Sequence, residues 1–166
     1  MKTPRLIIRE MTVDDLDALY GIYDENVTRY VEGLYEDRKE EEEFTSAYIK
    51  NMYCFYGYGI WILQLPDGTV IGRAGISNRN IDGHMELELG YILGSRYQKK
   101  GYGLEAVRAI TDYAFNELDA DAVNCFIKKE NLPSVRLAAK SGYSYCGTAD
   151  CDGVEYIRYV KRKIKE

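Results

Sequence analysis

Short apolar runs and longer apolar repeats alternate along this chain of 166 residues, and they predict a mixture of strands and helices. Runs rich in branched and aromatic residues between turn residues predict strands at 6–9, 58–65, 69–77, 85–93, 122–127, 143–148 and 154–160. Apolar residues spaced three and four apart predict helices from Thr12 to about Glu25, after Asp37, from Leu104 to Leu118 and between Asn131 and Gly142. Turns are predicted at Pro66–Gly68, Asp82–Gly83 and Asp152–Gly153.

The order of these elements predicts the fold class. It is strand, two helices, three antiparallel strands, helix, strand, helix and a final hairpin. The strand–helix–strand unit at 86–127 predicts one parallel pair, because parallel neighbours need a crossover connection. The fold class is therefore mixed α/β (α+β), in one domain spanning 1–166, since no repeat or low-complexity linker divides the chain. The weakly patterned link at 26–37 is expected to be mobile.

Composition narrows the function classes. Hydrophobic residues make up 46% and charged residues 30%, as in a globular protein, and a net charge of −5 argues against nucleic-acid binding. No apolar run approaches the roughly 18 residues of a membrane span, and the N-terminus does not resemble a signal peptide. A cytoplasmic protein without membrane contact is expected.

Charge is unevenly distributed along the chain. The stretch from Glu10 to Ser46 holds thirteen acidic and three basic residues, including the run Glu40–Glu43. It is either a solvated helix face or a surface that attracts a cation. The segment from Arg96 to Arg108 has four basic residues and one acid, which suits an anion such as a phosphate.

The cysteines and the single histidine offer little for metal or nucleophile chemistry. Cys54, Cys125, Cys146 and Cys151 form no Cys-x-x-Cys pair, and His84 lies at a predicted hairpin turn. We therefore expect reduced thiols, a surface histidine and no metal site.

A glycine-rich turn at 98–103 lies between a predicted strand and a predicted helix. Its glycines let the backbone approach an anion closely, while the first free amides of the helix and its dipole favour negative charge. The turn is not a Walker loop, because no Gly-Lys-Ser/Thr follows. As a dinucleotide fingerprint it is weak, since Ala106 replaces the third glycine and no acidic residue ends the next strand about twenty residues on; Asp119 and Asp121 precede that strand instead.

Two longer motifs add to this turn. Residues 88–93 with 97–106 resemble the acetyl-CoA motif of the GNAT acetyltransferase superfamily, and residues 131–137 with 140–143 resemble its second motif at the expected spacing. The opening residues 3–10 are similar to the branch of ribosomal-protein-alanine N-acetyltransferases. The resemblance covers nearly the whole chain.

The resemblance implies a sheet with one splayed parallel pair and helices on both faces. It also implies acetyl-CoA as cosubstrate, without a metal. The pantetheine arm would pair with the strand end at Ile92 and Leu93, where a free amide polarises the thioester carbonyl, and Asn131 and Ser134 would contact the arm from the other side. The amides that would hold the pyrophosphate are those of Gln98, Lys99, Lys100, Gly101, Tyr102 and Gly103.

The attacking amine must lose a proton, and two glutamates are candidates for the base. Glu86 and Glu88 alternate along one strand, so both side chains are expected on one face, where neighbouring carboxylates raise each other's pKa. Glu88 is the first choice and Glu86 the second. Alternatively, both are surface carboxylates on a solvated face.

The proton donor for the leaving thiolate is open. The tyrosine that many family members carry seven residues after the motif asparagine is Ala138 here, and Ser95 replaces the usual proline before the glycine turn. The residues considered as substitutes are Ser134, Tyr143 and Tyr145, besides a water molecule.

The acceptor is open as well. Sixteen tyrosines are present, and Tyr53, Tyr56 and Tyr58 cluster with Phe55 and Trp61. These rings form either a wall that holds a cationic amine or ordinary core and rim aromatics.

The expected function is acetyl transfer to a primary amine by direct transfer in a ternary complex. The amine belongs to a protein N-terminus or to a small molecule such as a polyamine, an amino acid or an aminoglycoside. A catalytically silent acyl-CoA-binding module and a nucleotide-binding domain are the alternatives. The chain is expected to be a monomer or a homodimer.

Overall fold

The computed structural model describes residues 1–81, 83–151 and 153–164. The strands are β1 Ile7–Arg9, β2 Ile60–Gln64, β3 Val70–Ile81, β4 His84–Leu93, β5 Ala122–Ile127, β6 Ser144–Cys151 and β7 Val154–Arg162. The helices are α1 Leu16–Ile22, α2 Glu25–Thr28, α3 Arg38–Tyr56, α4 Tyr102–Asn116 and α5 Leu132–Lys140. Short 3₁₀ turns span Val13–Asp15 and Ser95–Tyr97.

The seven strands form one sheet in the order β1-β2-β3-β4-β5-β7-β6. Strands β4 and β5 are parallel and the other neighbouring strands pair antiparallel, which confirms the predicted mixed sheet. The parallel pair is in register at a single position, Glu88 opposite Asn124. Beyond that position β4 and β5 diverge, so a gap opens between their carboxyl ends.

Side-chain alternation assigns the two faces of the sheet. Ala74, Ile76 and Leu89 are buried on the face that packs against α4, which we call the back face. Arg73, Gly75, Gly90 and Ile92 lie on the opposite face, the front face, where the segment containing α1–α3 packs. Helices thus cover both faces, as predicted. The most deeply buried apolar side chains include Ile62, Leu63, Ile71, Ile76, Leu89, Val107, Ile110 and Val123.

The first helical region is broken where the sequence predicts one helix. Helix α1 ends at Ile22 rather than near Glu25, because Asp24 begins α2 by accepting hydrogen bonds from the amides of Asn26 and Val27. The 26–37 link is therefore partly ordered by α2, contrary to its weak pattern. Asp37 caps α3 as predicted, accepting from the amides of Lys39 and Glu40.

The remaining bounds follow the prediction closely, although β3 continues to Ile81 and β6 to Cys151. The predicted turn residues Asp82 and Asp152 lie outside the described residues. All four cysteines are free thiols and His84 is exposed, as expected. Within the described ranges, no helix is long and apolar enough to cross a bilayer.

Candidate active site

A groove opens where β4 and β5 diverge, between α4, α5 and the segment around α2. It encloses about 400 Å³. Its charged lining residues are Lys99, Arg136 and Lys140, and no acid lines it among the described residues. Of the residues predicted to bind a cofactor, those lining it are Ile92, Leu93, Gln98, Lys99, Gly101, Gly103, Asn131 and Ser134. The groove therefore suits an elongated anionic ligand.

The glycine turn presents free backbone amides to this groove. Lys99 and Gly101 adopt left-handed conformations, with φ of 59° and 88°, and Gly101 precedes α4 without any side-chain cap. The first-turn amides of a helix have no partner inside the helix and attract anions. Lys100 and Tyr102, which are also predicted to bind the cofactor, do not line the groove, and Arg5 stacks on the Tyr102 ring.

The N-terminal segment braces the glycine turn, a role that sequence reasoning missed. Arg5 donates from Nη1 to the Lys100 carbonyl at 2.9 Å and from Nε to Glu105 Oε2 at 2.7 Å. Glu105 Oε1 also accepts from the Thr3 hydroxyl at 2.6 Å and from the Arg5 amide at 2.8 Å. These bonds hold the turn from the side away from the groove, and they give the opening residues a structural purpose.

The edge of β4 that borders the gap between β4 and β5 carries unpaired backbone amides. Gly94 donates to the Ile71 carbonyl at 3.0 Å, and in an antiparallel pair every second residue bonds to the partner strand. Even-numbered positions of β4 therefore form hydrogen bonds with β3, and the amides of Tyr91 and Leu93 point into the gap between β4 and β5. Of the two predicted residues, Leu93 offers its amide, whereas Ile92 contributes its side chain.

Helix α5 forms the opposite wall of the groove. Asn131 caps it by accepting from the Ser134 amide at 3.2 Å, as its position predicts. The Ser134 carbonyl accepts from the Tyr91 hydroxyl at 3.0 Å. Gly103 packs against Leu137, and a Cβ at Gly103 would lie 2.9 Å from Leu137 Cδ2. This second glycine of the turn therefore also allows α4 and α5 to approach closely.

A second cavity of about 310 Å³ lies on the front face. It shares Val31, Tyr91 and Ile92 with the groove, so the two cavities meet across the end of β4. The segment predicted to be mobile supplies Val31. The full lining is Met11, Val31, Phe44, Tyr48, Ile60, Arg73, Gly90, Tyr91 and Ile92.

The two candidate bases lie on the front face but line neither cavity, and each binds an arginine. Glu88 accepts from Arg79 Nε at 2.6 Å, with 13% of its side chain exposed. Glu86 accepts from Arg158 Nη2 at 2.8 Å and from Asn124 Nδ2 at 2.9 Å. Burial raises the pKa of Glu88 above its ordinary value, although Arg79 acts in the opposite direction. The cause is desolvation, not the neighbouring glutamate that the alternation suggested.

Helix α5 has no tyrosine at the family's position, but a tyrosine from β4 contacts its first turn. Ala138 is fully buried on α5, one turn after Ser134. Tyr91 reaches this part of α5 from β4, and burial raises the pKa of its phenol, so it stays protonated. Two of the substitutes considered from the sequence line neither cavity, since Tyr143 is buried with its hydroxyl on Thr111 and Tyr145 is exposed.

The aromatic cluster and the acidic run do not form one cation-binding surface. Trp61 packs on Tyr113 of α4, behind the sheet, and Tyr53 is buried with its hydroxyl on the Ile60 carbonyl. Glu41 is buried and accepts from the Tyr35 amide. None of the four glutamates of the run lines either cavity. The front cavity is instead walled by Phe44 and Tyr48, which the sequence pattern had not separated from other aromatics.

Residues 5–144 match the acetyltransferase (GNAT) domain family. The chain belongs to this family. It is 32% identical to the uncharacterized protein YkkB of Bacillus subtilis over 149 residues, covering 88% of this chain and 86% of that protein. It is 30% identical to the uncharacterized N-acetyltransferase YnaD of the same species, covering 84% and 79%. This GNAT protein is therefore an acetyl-CoA-dependent N-acetyltransferase.

Solved structures share the GNAT fold along almost the whole chain. An acetyltransferase from Agrobacterium tumefaciens superimposes with a TM-score of 0.82 at 24% identity, covering 98% of this chain and 94% of that one. A putative ribosomal-protein-serine acetyltransferase from Vibrio cholerae gives 0.80 at 23%, covering 98% and 96%. Spermidine N-acetyltransferase from Vibrio cholerae, in complex with CoA and spermine, gives 0.78 at 20%, covering 96% of each.

Proposed function

We propose that the groove holds acetyl-CoA, that the front cavity holds the acceptor amine, and that the acetyl group is transferred directly between them. The observation that carries this proposal is the meeting of the two cavities at Tyr91 and Ile92. A module that only bound acyl-CoA would have no need for a second cavity next to the end of β4.

The groove offers partners for each part of CoA along its length. The amides from Gln98 to Gly103 would hold the pyrophosphate, with Lys99, Arg136 and Lys140 as counter-charges. Asn131 and Ser134 would contact the pantetheine arm, which pairs with the open edge of β4. A fixed amide on that edge, at Tyr91 or Leu93, stabilises the developing negative charge on the thioester oxygen without reorganisation.

Glu88 is proposed as the base. It lies two residues before Gly90 on the same face of β4, a spacing of roughly 7 Å, so it receives the amine proton through bound water. Glu86 is the weaker candidate because an arginine and an asparagine amide both occupy its oxygens. In the transfer, the acetyl carbon exchanges its bond to sulfur for a bond to the amine nitrogen. The base takes the amine proton and the CoA thiolate gains one.

Tyr91 is proposed to donate that last proton in place of the missing tyrosine at Ala138. Its hydroxyl lies over the first turn of α5, and its neutral state is favoured by burial. We expect Tyr91→Phe to lower kcat about 10-fold, less than the roughly 100-fold or more typical of acid–base catalysis, because a thiolate leaves readily. Steady-state kinetics with Tyr145→Phe as the matched control measure this. An unchanged kcat would assign the protonation to water.

The decisive experiment offers purified protein acetyl-CoA and a panel of amines while free CoA thiol is measured. The panel contains amino acids, spermidine, an aminoglycoside and a peptide with a free N-terminus. Release of thiol that depends on one class of amine supports transfer. Binding of CoA in calorimetry, with no release on any amine, would identify a catalytically silent module instead.

A further inference from the structure

The only charged residue in the described lining of the front cavity is Arg73. It lies on β3, directly opposite Ile92 of β4, which itself borders both cavities. Its Nε donates to the Tyr23 hydroxyl at 2.6 Å, and the Tyr23 ring lies 5.1 Å from the guanidinium carbon. Tyr23 therefore holds the Arg73 side chain in place and leaves both terminal nitrogens of the guanidinium available to bind a ligand.

Arg73 differs from the other arginines on this face of the sheet. Arg79 is bound by Glu88 and Arg158 by Glu86, so each of those charges has a carboxylate partner. Within the described ranges, no carboxylate lies within salt-bridge distance of Arg73, and its recorded hydrogen bond is to a neutral phenol. A half-buried guanidinium without a counter-ion, in a cavity wall, is a site for an anion that arrives with the ligand.

The other residues that line the cavity indicate the chemical character of the rest of that ligand. Met11, Val31, Phe44 and Ile60 are apolar, and Tyr48 presents its ring while its hydroxyl accepts from the Ile60 amide at 2.7 Å. No acid lines the described part of the cavity, so a polyamine or an aminoglycoside would bring its positive charges to a site that carries one already. A volume of about 310 Å³ is at the small end for a ligand pocket.

We infer that the acceptor is an α-amino acid with an apolar side chain, whose carboxylate is bound by the guanidinium of Arg73. This inference rests on the proposed function and specifies its acceptor. Arg73 and Ile92 are register partners, with Cα atoms roughly 5.5 Å apart. The bound carboxylate therefore lies close to the end of β4, where the acetyl group is delivered. In an α-amino acid the amine is one carbon from the carboxylate, so the amine can reach the acetyl group while the carboxylate stays on Arg73.

The roles of the chain in this reaction follow from that geometry. Arg73 fixes the carboxylate with a forked pair of N–H groups, and the apolar wall takes the side chain. The ammonium group loses one proton to the base, and the neutral amine forms its bond to the acetyl carbon. The bond from that carbon to the CoA sulfur then breaks, the nitrogen loses its second proton to solvent, and the thiolate takes one proton from the acid. The product is an N-acetyl amino acid with its carboxylate still on Arg73.

Paired acceptors test the inference. The wild-type protein receives L-phenylalanine, L-leucine or L-methionine, each beside its decarboxylated amine. We expect kcat/KM to favour the amino acid by roughly 10- to 100-fold, the range of one charge-assisted pair. Arg73→Gln should remove that preference while leaving the decarboxylated amine within about 3-fold. Arg162→Gln, which removes an equal charge from an exposed position outside both cavities, should keep the preference.

A binding measurement gives a readout that does not need turnover. Calorimetry with the CoA-loaded protein compares N-acetyl-L-phenylalanine with N-acetylphenethylamine, which lacks the carboxylate. We expect at least 10-fold tighter binding of the carboxylate in the wild type, and equal binding in Arg73→Gln. Equal binding in the wild type overturns the inference, and so does an equal loss of activity on both acceptors in the variant.

Failure of the inference and failure of the proposed function give different results. If amines without a carboxylate are acetylated faster than amino acids, transfer stands and the assignment of Arg73 falls. If no amine releases thiol while the carboxylate product still binds through Arg73, the transfer proposal falls and the binding site stands. Thermal unfolding of each variant shows that the comparison concerns folded protein.

Discussion

Glu88→Gln is expected to lower kcat by about 100- to 1,000-fold while the Kd for CoA stays within about 2-fold of the wild type. The substitution keeps the shape of the side chain and removes its ability to accept a proton. Glu88 does not line the groove proposed for CoA, so ground-state binding of the cosubstrate should be unaffected. Stopped assays of acetylated product together with calorimetry of CoA measure the two effects separately.

The pH profile distinguishes a base from a merely structural carboxylate. A base must be ionised, so kcat/KM should rise with pH through the pKa of Glu88, which burial raises above its ordinary range. Arg79 acts to lower the pKa of Glu88. Arg79→Gln should therefore move the rise in kcat/KM to higher pH, whereas Glu88→Gln should abolish that rise. A variant that loses activity while the rise in kcat/KM stays at the same pH would contradict the assignment of Glu88 as the base.

Glu86→Gln serves as the matched control on the same strand. Its oxygens accept from Arg158 and Asn124, so the change should disturb the side-chain contacts between β4, β5 and β7 without removing the base. We expect a reduction in kcat of less than 10-fold. The reverse order, with Glu86→Gln the more damaging variant, would transfer the role to Glu86. Unfolding curves of both variants control for the arginines that lose a partner.

Gly75→Ala is expected to destabilise the fold by about 3 kcal/mol or more, lowering Tm by roughly 6–12 °C for a domain of this size. A Cβ at Gly75 would lie 1.9 Å from the Gly59 carbonyl oxygen and 2.6 Å from the Ile60 Cα. Both are backbone atoms of the chain entering β2, so no rotamer change relieves the contact. Thermal and denaturant unfolding at one pH measure the loss.

Gly90→Ala is the control for this prediction. Gly90 pairs with Gly75 across the front face, and no atom lies within 4 Å of the position that its Cβ would take. The change should leave Tm within about 2 °C and place a methyl group in the front cavity, raising KM for the acceptor. Equal destabilisation by both alanines would mean that the close approach at Gly75 does not govern stability.

The local order of the chain could be predicted because it depends on near neighbours. The apolar stripe of α4, the cap of α3 at Asp37 and the cap of α5 at Asn131 follow from spacings of three or four residues. The parallel pair follows from a crossover long enough to contain α4. The break between α1 and α2 was missed because Asp24 competes with continued helix through its own side chain.

The glycine turn shows how far the local pattern extends. Its place between β4 and α4 and its affinity for an anion follow from glycine and the free amides of a helix start. The brace from Arg5 and Glu105, about a hundred residues apart, could not be predicted from the turn itself. Only the fold brings the opening segment beside the first turn of α4.

The sequence by itself determined the family, the two motifs that resemble the family's CoA-binding motifs and the face that carries Glu86 and Glu88, because each depends on residue types at short spacings. The tertiary structure decided which partners those residues contact. It paired both glutamates with arginines, placed Arg73 in a second cavity with no carboxylate partner among the described residues, and brought Tyr91 to the helix that lacks the family's tyrosine. Such contacts join β3, β4, β5, β7 and α5, and their partners are set by strand register and packing, which no local spacing encodes.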